Sequence, residues 1–237
     1  MLSPFLARYQ HQPENITSLY QSRKNPALMW VGTDDGFWAV DLKTRICHFY
    51  PPNPHKASAL SHRAVRVVYE DAQGTVWIGT EGGGLDQFDP KTQRFNNFSE
   101  KDGLPSNHVY GIYHDANHYL WMSTGRGISR LNLKSYEFIN FQEQDGLQSI
   151  DFKWGAHHQS AQGEIFFGGA QGVNSFFPGK IKFSTVTPQV RITQFSINNQ
   201  RVPVAQPVDG RIILEKQFIK PSPFAWNPKT GSSLLNL

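Results

Sequence analysis

The chain has 237 residues, of which 38% are hydrophobic, 13% aromatic and 18% charged, too aromatic and too weakly charged for a disordered polymer and long enough for one or two domains with a sizeable core. No apolar run reaches the length of about 18 residues that a membrane helix needs, and the opening MLSPFLARYQHQPENIT lacks the apolar stretch of a secretory signal. The 23 Lys and Arg against 19 Asp and Glu leave a net charge of +4 without a basic run, which argues against nucleic acid as a partner, and the lone Cys47 rules out an internal disulfide and a cysteine-built zinc site.

Taken in chain order, the residues fall into a repeat. A short irregular strand at 16–22 precedes Trp30-Val-Gly-Thr33, a turn at Asp35-Gly36, a strand at 37–41 and an outer strand marked by Cys47 and Tyr50. The order returns with a strand at 65–71, a turn at 71–74, Trp77-Ile-Gly-Thr80, the Gly82-Gly83-Gly84 turn, a strand at 85–89 and the pair Phe95 and Phe98. A third pass runs through 109–115, Trp121-Met-Ser-Thr124, Gly125-Arg126-Gly127, 128–132 and the pair Phe138 and Phe141. The fourth carries Phe166-Phe-Gly-Gly169, Gln171-Gly172 and a strand at 173–177. The four aromatic anchors lie 47, 44 and 45 residues apart, and each period holds four short strands, frequent turn signals and no helical stretch.

Four strands in each period of about 40 to 50 residues make a β-propeller blade, so the predicted fold class is all-β. A large aromatic at a fixed strand position fills the wedge between neighbouring blades, and the glycines after it permit a tight turn with positive φ. The anchors are therefore expected to pack. Closed rings have roughly four to eight blades; with the repeat starting near the first residue, the expectation is about four blades of a larger ring.

The E-D-x-x-G-x-V-W-I-G-T-x-G-G-G-L run at 70–85 and the D-G-L-P-S-N run at 102–107 resemble the two-component regulator propeller repeat. Asp145-Gly-Leu-Gln148, Gly163-Glu-Ile-Phe-Phe-Gly-Gly169 and Phe176-Phe-Pro178 are similar to the last blade of such sensors, and the stretch from Pro188 to Val202 resembles the opening of the immunoglobulin-like β-sandwich that follows it. The resemblance implies a partial propeller at 1–183 and a truncated immunoglobulin-like segment with an irregular tail at 184–237. It also implies the periplasmic, ligand-sensing part of a dimeric membrane-spanning receptor, whose output is a histidine kinase, a hybrid kinase or a diguanylate cyclase. No output motif stands in this sequence, and no catalysis, cofactor or direct membrane contact is expected of the chain itself.

Specific catalytic patterns are absent: no G-x-S-x-G, H-E-x-x-H, G-x-x-x-x-G-K-[ST] or EF-hand loop. Gly82-Gly83-Gly84 joins two strands and opens no helix, so it reads as a turn and not as a phosphate cradle. His108, His114 and His118 belong to a loop, a strand end and a turn and are expected to diverge, while His157 and His158 fall in the equivalent turn region of the last blade, where alternate residues of an extended chain point to opposite faces; no metal site is expected. Asp34-Asp35 and Glu81 would offer a carboxylate pair for sugar hydrolysis only at a separation that the sequence does not set, and turn chemistry accounts for the aspartates.

In a four-stranded antiparallel blade, the loop before the first strand and the loop after the second emerge at the same end. The residues predicted to gather around the channel mouth are His62, Arg63, Glu81, Asn107, His108, Arg126, Lys153 and Trp154. Their mixture suits a small polar ligand such as an oligosaccharide, with Trp154 either a stacking platform or packed between blades. Two other classes stand beside the sensor. A propeller lyase similar to the virginiamycin B lyases would need a metal or a convergent His and carboxylate cluster on the channel face, with His108 and Glu81 indispensable, and a protein-interaction scaffold would use the same loops.

Overall fold

The computed structural model describes residues 15–53, 55, 56, 58–181, 196, 197, 200–202, 207, 208, 211 and 212. Met1–Ile181 and Lys182–Leu237 are separate compact units. The first holds four antiparallel sheets whose strands follow one another in chain order. Blade 1 is β1 (Ile16–Gln21), β2 (Leu28–Thr33), β3 (Phe37–Asp41) and β4 (Cys47–Tyr50); blade 2 is β5 (Val65–Glu70), β6 (Val76–Thr80), β7 (Leu85–Asp89) and β8 (Arg94–Phe98). Blade 3 is β9 (Val109–His114), β10 (Tyr119–Thr124), β11 (Gly127–Asn132) and β12 (Phe138–Phe141), and blade 4 shows β13 (Phe152–Gln159), β14 (Ile165–Gly169) and β15 (Gly172–Phe176). The strands β1, β5, β9 and β13 adjoin one another, and β13 meets β5 as well as β9. The first strand of each blade is thus the innermost one, and the architecture is that of an all-β propeller.

One expectation is corrected: three single turns of 3-10 helix, Glu100–Asp102, Glu143–Asp145 and Pro178–Lys180, follow outer strands or close the last blade. The first two arise from the Asp-Gly pair of the repeat. The carboxylates of Asp102 and Asp145 accept the N–H groups of Ser99 and Gln142 at 2.9 and 2.8 Å, capping the turn, and Gly103 and Gly146 end it at φ 108° and 97°.

Each seam between blades has its own core and its own aromatic anchor. Trp30, Phe37 and Ala39 pack on Leu60, Val65, Val68, Val76, Ile78, Phe88 and Phe95 between blades 1 and 2. Trp77 and Leu85 meet Val109, Ile112 and Leu120 between blades 2 and 3, and Trp121 and Ile128 meet Phe152, Ile165 and Phe167 between blades 3 and 4. Burying each indole contributes on the order of 2–3 kcal/mol, so the predicted packing role of these tryptophans holds. Phe166 occupies the same register position in blade 4, paired with Ser175, but is only half-buried, while its neighbour Phe167 points to the other face of β14 and packs in the seam with blade 3.

The anchors also carry a polar constraint. A buried indole N–H needs an acceptor, and Trp77 and Trp121 find one six residues upstream, in Asp71 and Asp115, at 2.9 and 2.8 Å. The other oxygen of each carboxylate accepts two N–H groups of the intervening turn. One aspartate thus closes the β5–β6 or β9–β10 turn and satisfies the anchor at once. In blade 1 the corresponding residue is Lys24, and Trp30 donates instead to Glu70 of blade 2 at 2.9 Å. In blade 4, where the anchor is Phe166 and has no N–H, the residue is Ser160, whose hydroxyl takes only the turn N–H of Glu164.

In the second unit the described residues form two short antiparallel pairs, Ser196–Ile197 with Gln200–Arg201 and Pro207–Val208 with Arg211–Ile212. Most of the expected immunoglobulin-like opening at 188–202, and the tail expected to be irregular, lie outside the described residues.

Candidate functional site at the channel mouth

A repeated backbone bond builds the rim. The N–H groups of Asp34, Glu81, Gly125 and Ala170, each in the turn after the anchor strand, donate to the carbonyls of Asn15, Ala64, His108 and Asp151, each just before an innermost strand, at 3.3, 2.9, 3.0 and 2.9 Å. The two loop sets of each described blade are therefore stitched together at one end of the propeller unit.

Just inside that rim every innermost strand bulges. One residue stands unpaired in each of the first three blades, Thr17, Arg66 and Tyr110. In β13 the irregularity is larger and runs between Phe152 and His157. Ala156 lies against Gly168, where an added Cβ would come within 2.9 Å of its own, so Lys153, Trp154 and Gly155 take the place of a single residue. Gly155 turns the chain at φ 74°. A bulge bends its strand and re-aims side chains, and Trp154 is 56% exposed as a result. Sequence reasoning placed Lys153 and Trp154 in a loop and allowed Trp154 to be packed between blades; both readings are corrected by their position on β13 and by that exposure.

Arg66 is the centre of the group. Its Nη1 donates to Asp34 of blade 1 at 2.6 Å, its Nε donates to Glu81 of blade 2, and its guanidinium lies 5.3 Å from the Trp154 ring centroid. Three blades are tied by one side chain. The hydrogen bond from Asn15, followed by Arg66, holds the Asp34 carboxyl below the usual aspartate range. Arg63 Nε donates to the Asp34 carbonyl at 3.0 Å. His62 accepts the Ala64 N–H on Nδ1 at 3.2 Å, and burial lowers its pKa. Glu81 bridges to His108 through the backbone. Tyr110 sits within electrostatic reach of Glu81, Asp151, Lys153 and Arg66, and burial, then Glu81, raises its hydroxyl pKa.

Of the eight residues predicted for the mouth, His62, Arg63, Glu81, His108, Lys153 and Trp154 surround this centre. Asn107 serves the turns: its carbonyl accepts Gly82 and Gly84, and its side chain accepts the N–H of Glu100. Arg126 is exposed in the β10–β11 turn beside His108, with its N–H on Thr124. Lys153 pairs with Asp151 at 2.6 Å. Asp34 and Glu81 do approach one another, but around the Arg66 cation, so both carboxylates are engaged. His114 and His118, expected to diverge, face each other with ring centroids 6.1 Å apart, because the Asp115 turn folds one strand back on the next. His157 and His158 lie on β13 and not in a turn, and they part as expected, His157 to the Tyr113 hydroxyl at 2.9 Å and His158 toward Phe166. No group of three His, Cys, Asp or Glu able to hold a metal occurs among the described residues. Arg66 and Tyr110 were missed; the signal for them is their place in Val65-Arg-Val67 and Val109-Tyr-Gly111, aligned with the longer Phe152-Lys-Trp-Gly-Ala156.

Comparison with known proteins agrees with the propeller fold. Residues 59–82 and 103–126 match the family model of the two-component regulator propeller. Histidine kinase P4 of Formosa agariphila is 27% identical over 235 residues, an alignment that takes in 78% of this chain and 17% of the relative. Extracellular domains assigned to two hybrid two-component systems of B. thetaiotaomicron superpose with TM-scores of 0.59 and 0.56 at 19% and 22% identity, over 71% and 69% of this chain and 24% of each of theirs. A virginiamycin B lyase from Staphylococcus aureus superposes at 0.51 with 13% identity, over 73% of this chain and 58% of the lyase. The chain spans only 17% of the curated relative and 24% of the two receptor domains, and structural likeness at such identities establishes the fold alone. Repeats and blade geometry agree on a β-propeller in which residues 59–82 and 103–126 match the two-component regulator propeller repeat.

Proposed function

We propose that the chain is a sensor segment of a two-component receptor, held outside the cytoplasm, that binds a small polar ligand such as an oligosaccharide at the channel mouth. The family match and the extracellular relatives support the receptor context. The observation that carries the ligand reading is the three-residue bulge of β13, which holds an indole in solvent while Arg66, pinned by Asp34 and Glu81, backs it. A flat apolar face fixed among hydrogen-bonding groups is what a ring-shaped polar ligand needs for stacking and orientation. Holding Trp154 this way lowers the entropy that binding must overcome. Binding without turnover, and transmission through a dimeric parent by a shift in population between two arrangements, complete the reading.

Calorimetry of the chain against neutral oligosaccharides, uronate-containing oligosaccharides and short peptides tests it. One saccharide class is expected to bind, and Trp154→Ala to weaken that binding by about tenfold or more, roughly 1.4 kcal/mol, with the melting temperature retained. Equal affinity in wild type and Trp154→Ala, preference for the peptides, or steady turnover of a bound saccharide would each overturn it.

A further inference from the structure

Asp86, on β7, is an acid with no counter-charge in the interior of blade 2. It is 0% exposed. Facing it are Ser61, whose N–H and hydroxyl meet Oδ2 at 3.1 and 2.7 Å, Asn97 on β8, whose Nδ2 is 3.4 Å from Oδ1, and Ile78, its register partner on β6. The charged and titratable groups on those same elements are engaged elsewhere or turned to solvent. His62 takes the Ala64 N–H, Arg63 donates to Asp34, Glu81 takes Arg66, Asp89 caps its own turn at Lys91 and Thr92, and Arg94 is exposed.

The contact with Ser61 matters because His62 and Arg63 are the next two residues of the mouth. That loop is pressed onto the triple-glycine turn: a Cβ on Gly83 would lie 2.2 Å from Ser61 Oγ and 2.8 Å from His62 Cβ, and one on Gly82 would lie 3.2 Å from His62 Nε2. Blade 4 grips its incoming loop from the corresponding position, where Asn174 accepts the Gln148 N–H at 3.0 Å and donates to the Gly146 carbonyl. Blade 3 has Ser129 there, bonded to Asn140. Among the described blades, only blade 2 uses an ionisable residue for the task.

We propose that Asp86 is a positioning residue for the His62–Arg63 loop: protonated, it stays buried beneath Ser61, and on losing its proton it loosens that loop, so one side of the mouth slackens as solution turns from weakly acidic to alkaline. A protonated carboxyl keeps an acceptor for the Ser61 N–H and donates its proton to Ser61 Oγ. A carboxylate at the same place is a buried anion without a cation, which favours local opening and hydration. Burial accordingly pushes the Asp86 carboxyl up to about 7, against the opposing bonds from Ser61 and Asn97. The meaning for ligand capture rests on the mouth being a binding face; the grip of Asp86 on the loop does not.

Hydrogen exchange at the amides of Ser61, His62, Arg63 and Ala64, normalised to the intrinsic rate at each pH, tests the grip without any ligand. Opening is expected to be about tenfold or more frequent at about pH 8.5 than at about pH 5.5 in the wild type. In Asp86→Asn and Asp86→Ser, which borrow the residues of blades 4 and 3, the dependence should vanish. Wild-type protection that does not change with pH, or an equal rise in the variants, would overturn the proposal. Should either variant fail to fold, a carboxyl carbon titration of the wild type decides, since an Asp86 that ionises below about pH 5 is incompatible with the proposal. Failure of saccharide binding with the exchange dependence intact would sink the ligand reading and leave this one standing.

Discussion

Asp71 and Asp115 each hold a turn and an anchor with one carboxylate, and the blade depends on both uses. Removing the Asp115 side chain strands the buried Trp121 indole N–H and two turn N–H groups, those of Asn117 and Tyr119. A buried donor left without a partner costs about 1–3 kcal/mol, and the turn donors regain water in part. Asp115→Ala should therefore lower stability by about 3 kcal/mol, read as a lower urea midpoint with an unchanged m-value. Adding Trp121→Phe to it removes the stranded indole and should restore part of the loss; a double variant as unstable as the sum of the singles would show that the bond is not the cause. The six-residue spacing of Asp and Trp was legible as a motif in the sequence. Its chemistry was not, because a hydrogen bond across a hairpin leaves no periodicity. The substitution of Glu70 for the missing aspartate of blade 1 was less visible still, since it joins residues 40 apart across a seam.

Among the elements, the strands were readable because alternation, turn residues and a recurring aromatic overdetermine them. The bulges were not, since an unpaired residue interrupts alternation without announcing on which strand it lies. The innermost strand of blade 4 accordingly reads as loop and turn in the sequence, and Arg66, which stands alone between two valines, draws no notice. The glycine turns show the same contrast between what a residue permits and what its surroundings demand. Gly84 has φ 86° and Gly163 has φ 83°, so both occupy the left-handed region. A Cβ on Gly84 would lie 2.2 Å from the Phe98 carbonyl oxygen, whereas one on Gly163 would meet nothing within 4 Å. Gly163→Ala should cost only the conformational term of about 1 kcal/mol. Gly84→Ala adds a collision with backbone and should cost about 3 kcal/mol or more. Equal midpoints for the two variants in urea would mean that the β7–β8 pairing yields more easily than the close approach suggests.

Across the whole molecule, buried titratable groups pull stability in opposite directions with pH. Asp86 has a folded pKa near 7 against an ordinary value of 3.8. The folded state therefore binds its proton first, and stability from this group is fully present below about pH 4 and lost as pH rises toward 7. His62, His114 and His157 behave conversely. Burial lowers each below 6.5, so the unfolded chain takes up their protons first, and the stability they contribute is lost as pH falls below about 6.5. Asp34, Asp41 and Asp89, all held low by hydrogen bonds, act only in more acidic solution. Between about pH 5 and 7 the buried acid and the half-buried histidines thus compensate. Asp86→Asn removes one side of that balance. Its melting temperature should fall on acidification from about pH 7.5 to about pH 5 by several degrees more than that of the wild type, where each kcal/mol corresponds to roughly 2–4 °C for a fold of this size. A parallel shift in both proteins would mean that Asp86 is ionised throughout that range. The His62–Arg63 loop would then be held by a carboxylate across that whole range, and the shape of the mouth would not follow the protonation of Asp86.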